Sequence, residues 1–225
     1  MTTSVIVLAA GKGTRMNSAL PKVLQPLAGQ PLLAHVLAAA RALSPQAIHV
    51  VAGHGMAAVQ EACPGDDLHW VEQTEQRGTG HAVAQALPYL AEGSALILYG
   101  DVPLVPPRTL AALRDAAGDG IALLVMQAAD PTGYGRILRD AAGRVQGIVE
   151  ERDATPDERA IREVNTGLMA APVALLRHYL PHVQPRNAQG EYYLTDVVAL
   201  AVADGVRVNA VAAQNPDDAL GINDR

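Results

Sequence analysis

The residues best placed to do chemistry come directly after apolar runs. Gly11-Lys12-Gly13-Thr14-Arg15-Met16 follows Thr3 to Ala10 (TSVIVLAA), and Lys22 lies shortly beyond. Two glycines let backbone N–H groups approach phosphate oxygens, while Lys12, Arg15 and Lys22 supply charge. A P-loop needs GxxxxGK followed by Ser or Thr, and neither Gly11 nor Gly29 starts that spacing. A dinucleotide loop needs GxGxxG, yet Met16 holds the third position, and Val51-Ala52-Gly53-His54 lacks the acid that would hold a ribose. From this loop alone an ordinary glycine turn with solvated cations stays open. A second loop, Tyr99-Gly100-Asp101-Val102-Pro103-Leu104, sets a carboxylate at the end of an apolar strand. Magnesium takes one or two protein oxygens and the rest from phosphates and water, so Asp101 suffices as an anchor; a turn cap before Pro103 is the alternative. A third loop places Gln73, Gly78, Thr79 and Gly80 ahead of a helix. That set suits a nucleobase edge, or equally a glycine turn with Thr79 near the N-cap.

These loops need strands to hold them. Thr3 to Ala10 reads as a central strand covered on both faces. Pro31 to Leu43 reads as a helix with proline in its first turn. Strands are expected at Ala47 to Ala52, Leu68 to Glu72, Ala95 to Tyr99 and Ile121 to Gln127. The intervening helices fall at Met56 to Ala62, His81 to Leu90 and after Pro106. This βαβα order predicts an α/β fold, a Rossmann-like, mostly parallel sheet with helices on both faces. Ligands of such sheets bind beyond the C-terminal strand ends, where the three loops lie. Gly135 to Arg139 and Arg144 to Glu150 read as an antiparallel hairpin, a small β insertion spanning about 130–165. Thr155 to Arg162 is a surface helix or loop, and Leu168 to Ala171 returns to the core. Val173 to Leu180 and Leu194 to Ala203 follow as helices, and Val206 to Val211 as a last strand. Residues 1–225 are expected to form one domain.

The chain has 225 residues, 49% of them hydrophobic and 18% charged, which favours a compact folded protein over a disordered one. A net charge of −6 argues against general nucleic-acid binding, and 3% aromatics with no Phe argue against a base-stacking platform. Any polyanionic ligand must meet a local basic cluster. The single cysteine, Cys63, excludes an internal disulfide and a multi-cysteine metal site. No export signal or bilayer-spanning stretch is legible, so a cytoplasmic protein without membrane partners is expected. The histidines show no metal-ligand spacing, and Pro181 between His178 and His182 spoils a helical pair. Glu150 ends an apolar strand beside Glu151, and those like charges suggest a ligand or solvent between them.

Taken together, LAAGKGTRM (Leu8 to Met16), LPKVL (Leu20 to Leu24), GTGHA (Gly78 to Ala82) and YGDVPL (Tyr99 to Leu104) resemble the sugar nucleotidyltransferases. TGYGRI, VEERDA, NTG, NAQGEYYLTD and GINDR, in that order, narrow the likeness. They resemble the uridylyltransferase domain of the bacterial bifunctional N-acetylglucosamine-1-phosphate uridylyltransferase/glucosamine-1-phosphate acetyltransferase family. The resemblance covers essentially the whole chain. It implies formation of UDP-N-acetylglucosamine and pyrophosphate from UTP and N-acetylglucosamine 1-phosphate, with Mg2+, for cell-wall precursor synthesis. Such a transfer is governed by positioning and charge neutralisation and needs no protein nucleophile. A nucleotidyltransferase for another sugar or base, and a non-catalytic sugar-nucleotide sensor, are the competing readings.

By the same resemblance, Arg15 and Lys22 lie against the reacting phosphates, with Arg15 stabilising the transition state and Lys12 assisting. Asp101 and Asn223 hold the magnesium ion. Leu8, Ala9, Ala10, Gly11, Gln73, Gly78 and Thr79 meet uracil and ribose. Tyr99, Gly135, Glu150, Asn165, Tyr193 and Thr195 face the sugar. The family continues into a left-handed β-helix acetyltransferase domain that builds its trimer. The sequence ends at Arg225, inside GINDR, so acetyl transfer is not expected and a monomer is.

Overall fold

The computed structural model describes residues 2–11, 20–53 and 55–222. Its centre is β1 (Thr3–Leu8), every residue of which is buried. Successive side chains of a strand point to opposite faces, and β1 divides accordingly. Val5 and Val7 pack on one side with α1 (Leu32–Arg41) and α4 (Pro107–Ala117). Ile6 and Leu8 pack on the other with α3 (Thr79–Ala86), α6 (Val173–Tyr179) and α7 (Asp196–Ala203). Burying each such aliphatic side chain stabilises by about 1.5–3 kcal/mol, so an all-aliphatic strand belongs where both faces are covered. In α1 the spacing Leu32, Leu33, Val36, Leu37, Ala40 gives one buried stripe.

Around β1 lie β4 (Ala47–Ala52) and β6 (Ser94–Tyr99), both parallel to it, and β5 (Leu68–Glu72) is parallel to β4. The sheet continues through β10 (Glu163–Pro172) to β7 (Ile121–Gln127) and β11 (Val208–Ala212), in the order β11-β7-β10-β6-β1-β4-β5. Only β10 runs against its neighbours β6 and β7 along this order. The helix α2 (Met56–Ala62) and a minor hairpin of β2 (Pro26–Leu27) and β3 (Gln30–Pro31) complete the first half.

The expected hairpin is present as β8 (Gly135–Arg139) and β9 (Val145–Val149). Its strands extend the main sheet, because the first residues of β10 pair with β8, Val164 opposite Arg136 and Asn165 opposite Gly135. The far end of β10 pairs with β6. Its register with β7 shifts between Asn165 and Met169, which frees Thr166 to Leu168 from regular pairing with β7. Gly167 there has φ +92°, and a Cβ on it would sit 2.8 Å from the Tyr99 ring, so only glycine fits. The polar stretch after Glu150 forms a short helix, α5 (Pro156–Arg159), closed by a Thr155/Glu158 capping box. Helix α3 begins at Thr79, two residues before the expected start, with Gly78 at φ +108° turning the chain into it.

Candidate functional site

The loops after β1, β5 and β6 meet in a cleft of about 430 Å³. Leu8, Ala10, Gly11, Lys22, Gln73, Gly78, Thr79 and Asp101, expected around the nucleotide, its phosphates and the metal ion, line it, and so does Tyr99, which was expected to face the sugar. Ala9 does not: its side chain packs in the core on the α1 face, while its N–H donates to the Val51 carbonyl at 2.8 Å. Lys12, Arg15 and Asn223 lie outside the described residues.

Lys22 and Asp101 form a close ion pair whose side chains are 12% and 21% exposed. A carboxylate beside a cation at a strand end, both lining the cleft, is a setting for binding phosphate or a hard cation. The Ile222 N–H donates to the Asp101 carbonyl at 2.9 Å, anchoring the chain next to the carboxylate immediately before Asn223. Gly100 permits this packing, since a Cβ on it would stand 3.0 Å from Val23. Across the cleft, the buried Gln73 carboxamide donates to the Gly78 carbonyl at 3.2 Å and meets His81 Nδ1 at 2.9 Å. Burial, and then the Arg77 charge, hold the His81 pKa below its usual value, consistent with a neutral ring accepting from Gln73. Gln76, which the sequence reading did not select, donates from its amide to the Ala10 carbonyl.

A second cleft of about 270 Å³ adjoins the first and shares Thr79, Tyr99 and Glu191 with it. Tyr99, Gly135, Glu150, Asn165, Tyr193 and Thr195, the expected sugar-facing set, all line it. Thr195 donates from its hydroxyl to Glu150 at 2.9 Å. Burial, opposed by that hydrogen bond and reinforced by Asp196 and Asp153, pushes the Glu150 carboxyl above the usual carboxylate range. The Tyr193 hydroxyl is buried without a hydrogen-bond partner among the described residues, and burial together with Asp153, Glu150 and Glu191 pushes its pKa up to about 12. Burial and the Glu150 charge raise the Tyr99 phenol as well. Among the described residues this cleft is lined by Glu150 and Glu191 and by no cation, whereas Lys22 stands in its neighbour. Hydroxyl donors therefore suit the second cleft and phosphate the first.

The two clefts are joined through backbone. The Gly80 N–H donates to the Tyr192 carbonyl, and the Tyr192 N–H to the Arg77 carbonyl, both at 2.8 Å. The Leu194 N–H donates to the Thr79 hydroxyl at 3.0 Å. A Cβ on Gly78 would lie 2.6 Å from the Tyr192 oxygen, so the glycine makes this contact possible. Glu150 and Glu151 part instead of facing a common space: Glu151 turns away to pair with Arg136, while Glu150 lines the second cleft together with Glu191. Cys63 is buried at the end of α2, where burial raises its thiol pKa and leaves it inert.

Among the described residues no cluster of three or more His, Cys, Asp or Glu could hold a metal ion, and no helix is long and apolar enough to cross a membrane. Asp101 offers the hard oxygen that magnesium prefers, next to a cleft able to supply phosphate ligands, so the residues present fit such an ion.

Comparison with known proteins agrees with this layout. The chain is 56% identical over 229 residues to the bifunctional protein GlmU of Stutzerimonas stutzeri (strain A1501), covering 100% of this chain and 50% of that protein. Identity and coverage are the same for bifunctional protein GlmU of Azotobacter vinelandii. The chain thus spans about half the length of the curated relatives it matches. A UDP-glucose pyrophosphorylase solved in complex with UDP-glucose shares the fold, with TM-score 0.79, 16% identity and coverage of 94% of this chain and 90% of that one. Residues 5–190 match the MobA-like NTP transferase domain, the family to which this chain belongs.

Proposed function

We propose that this chain transfers the uridylyl group of UTP to N-acetylglucosamine 1-phosphate, giving UDP-N-acetylglucosamine and pyrophosphate in the cytoplasm, with residues 1–225 acting as one nucleotidyltransferase unit. The observation that carries the reading is the pair of adjoining clefts, one with Lys22 and Asp101 and one with Glu150 and a Tyr193 hydroxyl that has no hydrogen-bond partner among the described residues. A nucleotide in the first and a sugar in the second bring the sugar phosphate up to the α-phosphorus beside Lys22. Holding the two reactants in line removes much of the entropic barrier to an otherwise bimolecular step.

In this reading Lys22 neutralises phosphate charge and Arg15 adds charge stabilisation greatest in the transition state. Lys12 assists from the same loop. Gln73, Gly78 and Thr79, with the backbone from Leu8 to Gly11, meet uracil and ribose. Glu150 and Thr195 accept from sugar hydroxyls, with Asn165 and Tyr193 beside them and Gly135 leaving room. Tyr99 is the partition between the two halves. Asp101 and Asn223 would hold Mg2+, which when bound offsets the negative charge of the phosphates.

The test is pyrophosphate release by the full chain, offered UTP or dTTP with N-acetylglucosamine 1-phosphate or glucose 1-phosphate, with and without magnesium. Magnesium-dependent release that is fastest with UTP and the N-acetylated sugar is expected. Preference for another pair would refute the substrate assignment, and binding without turnover would favour a sensor. The expected monomeric state is read separately by light scattering.

A further inference from the structure

We infer that Arg136 is a positioning residue for the sugar cleft: its buried guanidinium fixes where Glu150 stands and so governs affinity and selectivity for the sugar 1-phosphate. This rests on the functional reading above. Arg136 is 1% exposed and is not part of either cleft's lining. Its guanidinium donates to the Tyr134 carbonyl, to the Glu151 carboxylate and, from Nε and Nη2, to the Arg159 carbonyl at 3.4 and 3.3 Å. Three segments therefore converge on one side chain: the turn before Gly135 and the chain after β9, both of which reach the cleft lining, and the end of α5 behind them.

Packing alone does not require a charge there. Burying a guanidinium is costly, and apolar side chains of similar volume often replace buried ion pairs without loss of stability. What the cation adds is direction. It draws Glu151 to the back of the wall, and its neighbour Glu150 faces the other way, where the Thr195 hydroxyl meets it. The Glu150 carbonyl accepts from the Asp153 and Ala154 N–H groups at 3.0 Å each, and Arg159 Nε donates to the Glu151 carbonyl at 3.2 Å, so the turn is closed around that orientation. The Glu150 Oε2 atom lies 3.4 Å from the point a Cβ on Gly135 would occupy, so the carboxylate stands directly over that glycine.

The test compares wild type with Arg136→Met, Arg136→Lys and Glu151→Gln in the full chain, varying each substrate in the pyrophosphate-release assay. Arg136→Met is expected to raise KM for N-acetylglucosamine 1-phosphate by about tenfold or more, as misplacement near an ångström does, with KM for UTP within about twofold. Arg136→Lys should recover part of that loss, and Glu151→Gln should shift the same KM by a smaller factor. Preference for the N-acetylated sugar over glucose 1-phosphate should narrow in step. Leu33→Ala, in the opposite core, is the control that lowers thermal stability without moving the KM ratio. Sugar KM within about twofold of wild type in folded Arg136→Met, or in Glu151→Gln should Arg136→Met not fold, would overturn the inference. A wild-type chain that releases no pyrophosphate fails differently, removing the functional reading and this inference with it.

Discussion

Gly78→Ala tests whether the backbone junction between the clefts matters to both substrates. Alanine at φ +108° is strained, and its Cβ would press within 2.6 Å of the Tyr192 oxygen and 2.8 Å of the Tyr192 nitrogen. Neither atom can give way like a flexible side chain. Relief requires moving the 190–195 segment, which breaks the Gly80 to Tyr192 and Tyr192 to Arg77 hydrogen bonds. The backbone strain costs about 1–3 kcal/mol and each bond about 0.5–1.5 kcal/mol, roughly 2–6 kcal/mol together. At about 2–4 °C per kcal/mol for a chain of this size, Tm should fall by at least about 4 °C in calorimetry. Because Gly78 lines the first cleft while Tyr193 and Thr195 line the second, KM should rise for UTP and for the sugar phosphate alike. A variant with Tm within about 2 °C of wild type and both KM values unchanged would refute the coupling.

Asp101→Ala should abolish magnesium-dependent turnover, and a near-normal rate in the same assay would remove its proposed role as metal anchor. Glu150 has a raised folded-state pKa, so ionising it costs stability as pH rises from the ordinary carboxylate range through that higher value. Glu150→Gln, which keeps an acceptor for Thr195, should therefore melt higher than wild type at neutral pH yet bind sugar phosphate more weakly; a lower Tm in a pH series would contradict this. His49 is buried with neither ring nitrogen bonded among the described residues, and burial, then His69, holds its pKa below the usual 6.5. The unfolded chain thus binds the proton more readily, and stability should be lost as pH falls below about 6.5. His49→Leu should flatten that acid-side slope in urea titrations, and an unchanged slope would rule His49 out as its source.

Much of the layout was legible because the informative segments are local. TSVIVLAA, AIHVVA and SALILY are apolar runs ended by glycine or polar residues, so both the strands and the loops at their ends could be read from composition. Lys22, Gln73, Gly78, Thr79 and Asp101 consequently meet in one cleft, as the loop argument required. The polarity of β10 was not legible: a run such as NTGLMAAP carries no mark of direction, which is decided by neighbours 70 or so residues away, as in Ile97 opposite Met169. Gln76 and Glu191 reach the cleft through long-range approach and had no pattern of their own. Arg136 reads locally as one more charge in a hairpin, since its three acceptors come from different turns. The parting of Glu150 from Glu151 was available in principle, because consecutive residues leaving a strand point to opposite sides.

The pairing order of the sheet has a bearing on how the molecule is made. β1 lies between β4 and β6, with Thr3 opposite Ser94, and the outer edge of β6 pairs, among the described residues, with Met169 to Pro172. During synthesis the earliest strand must wait for nearly half the chain before its second edge is occupied, and β6 must then wait for most of the rest. Loop closure over such separations slows folding, and a half-emerged chain presents an aliphatic strand edge to whatever else is nearby. Nascent chains stalled between Tyr99 and Glu163 are the species with most need of a chaperone.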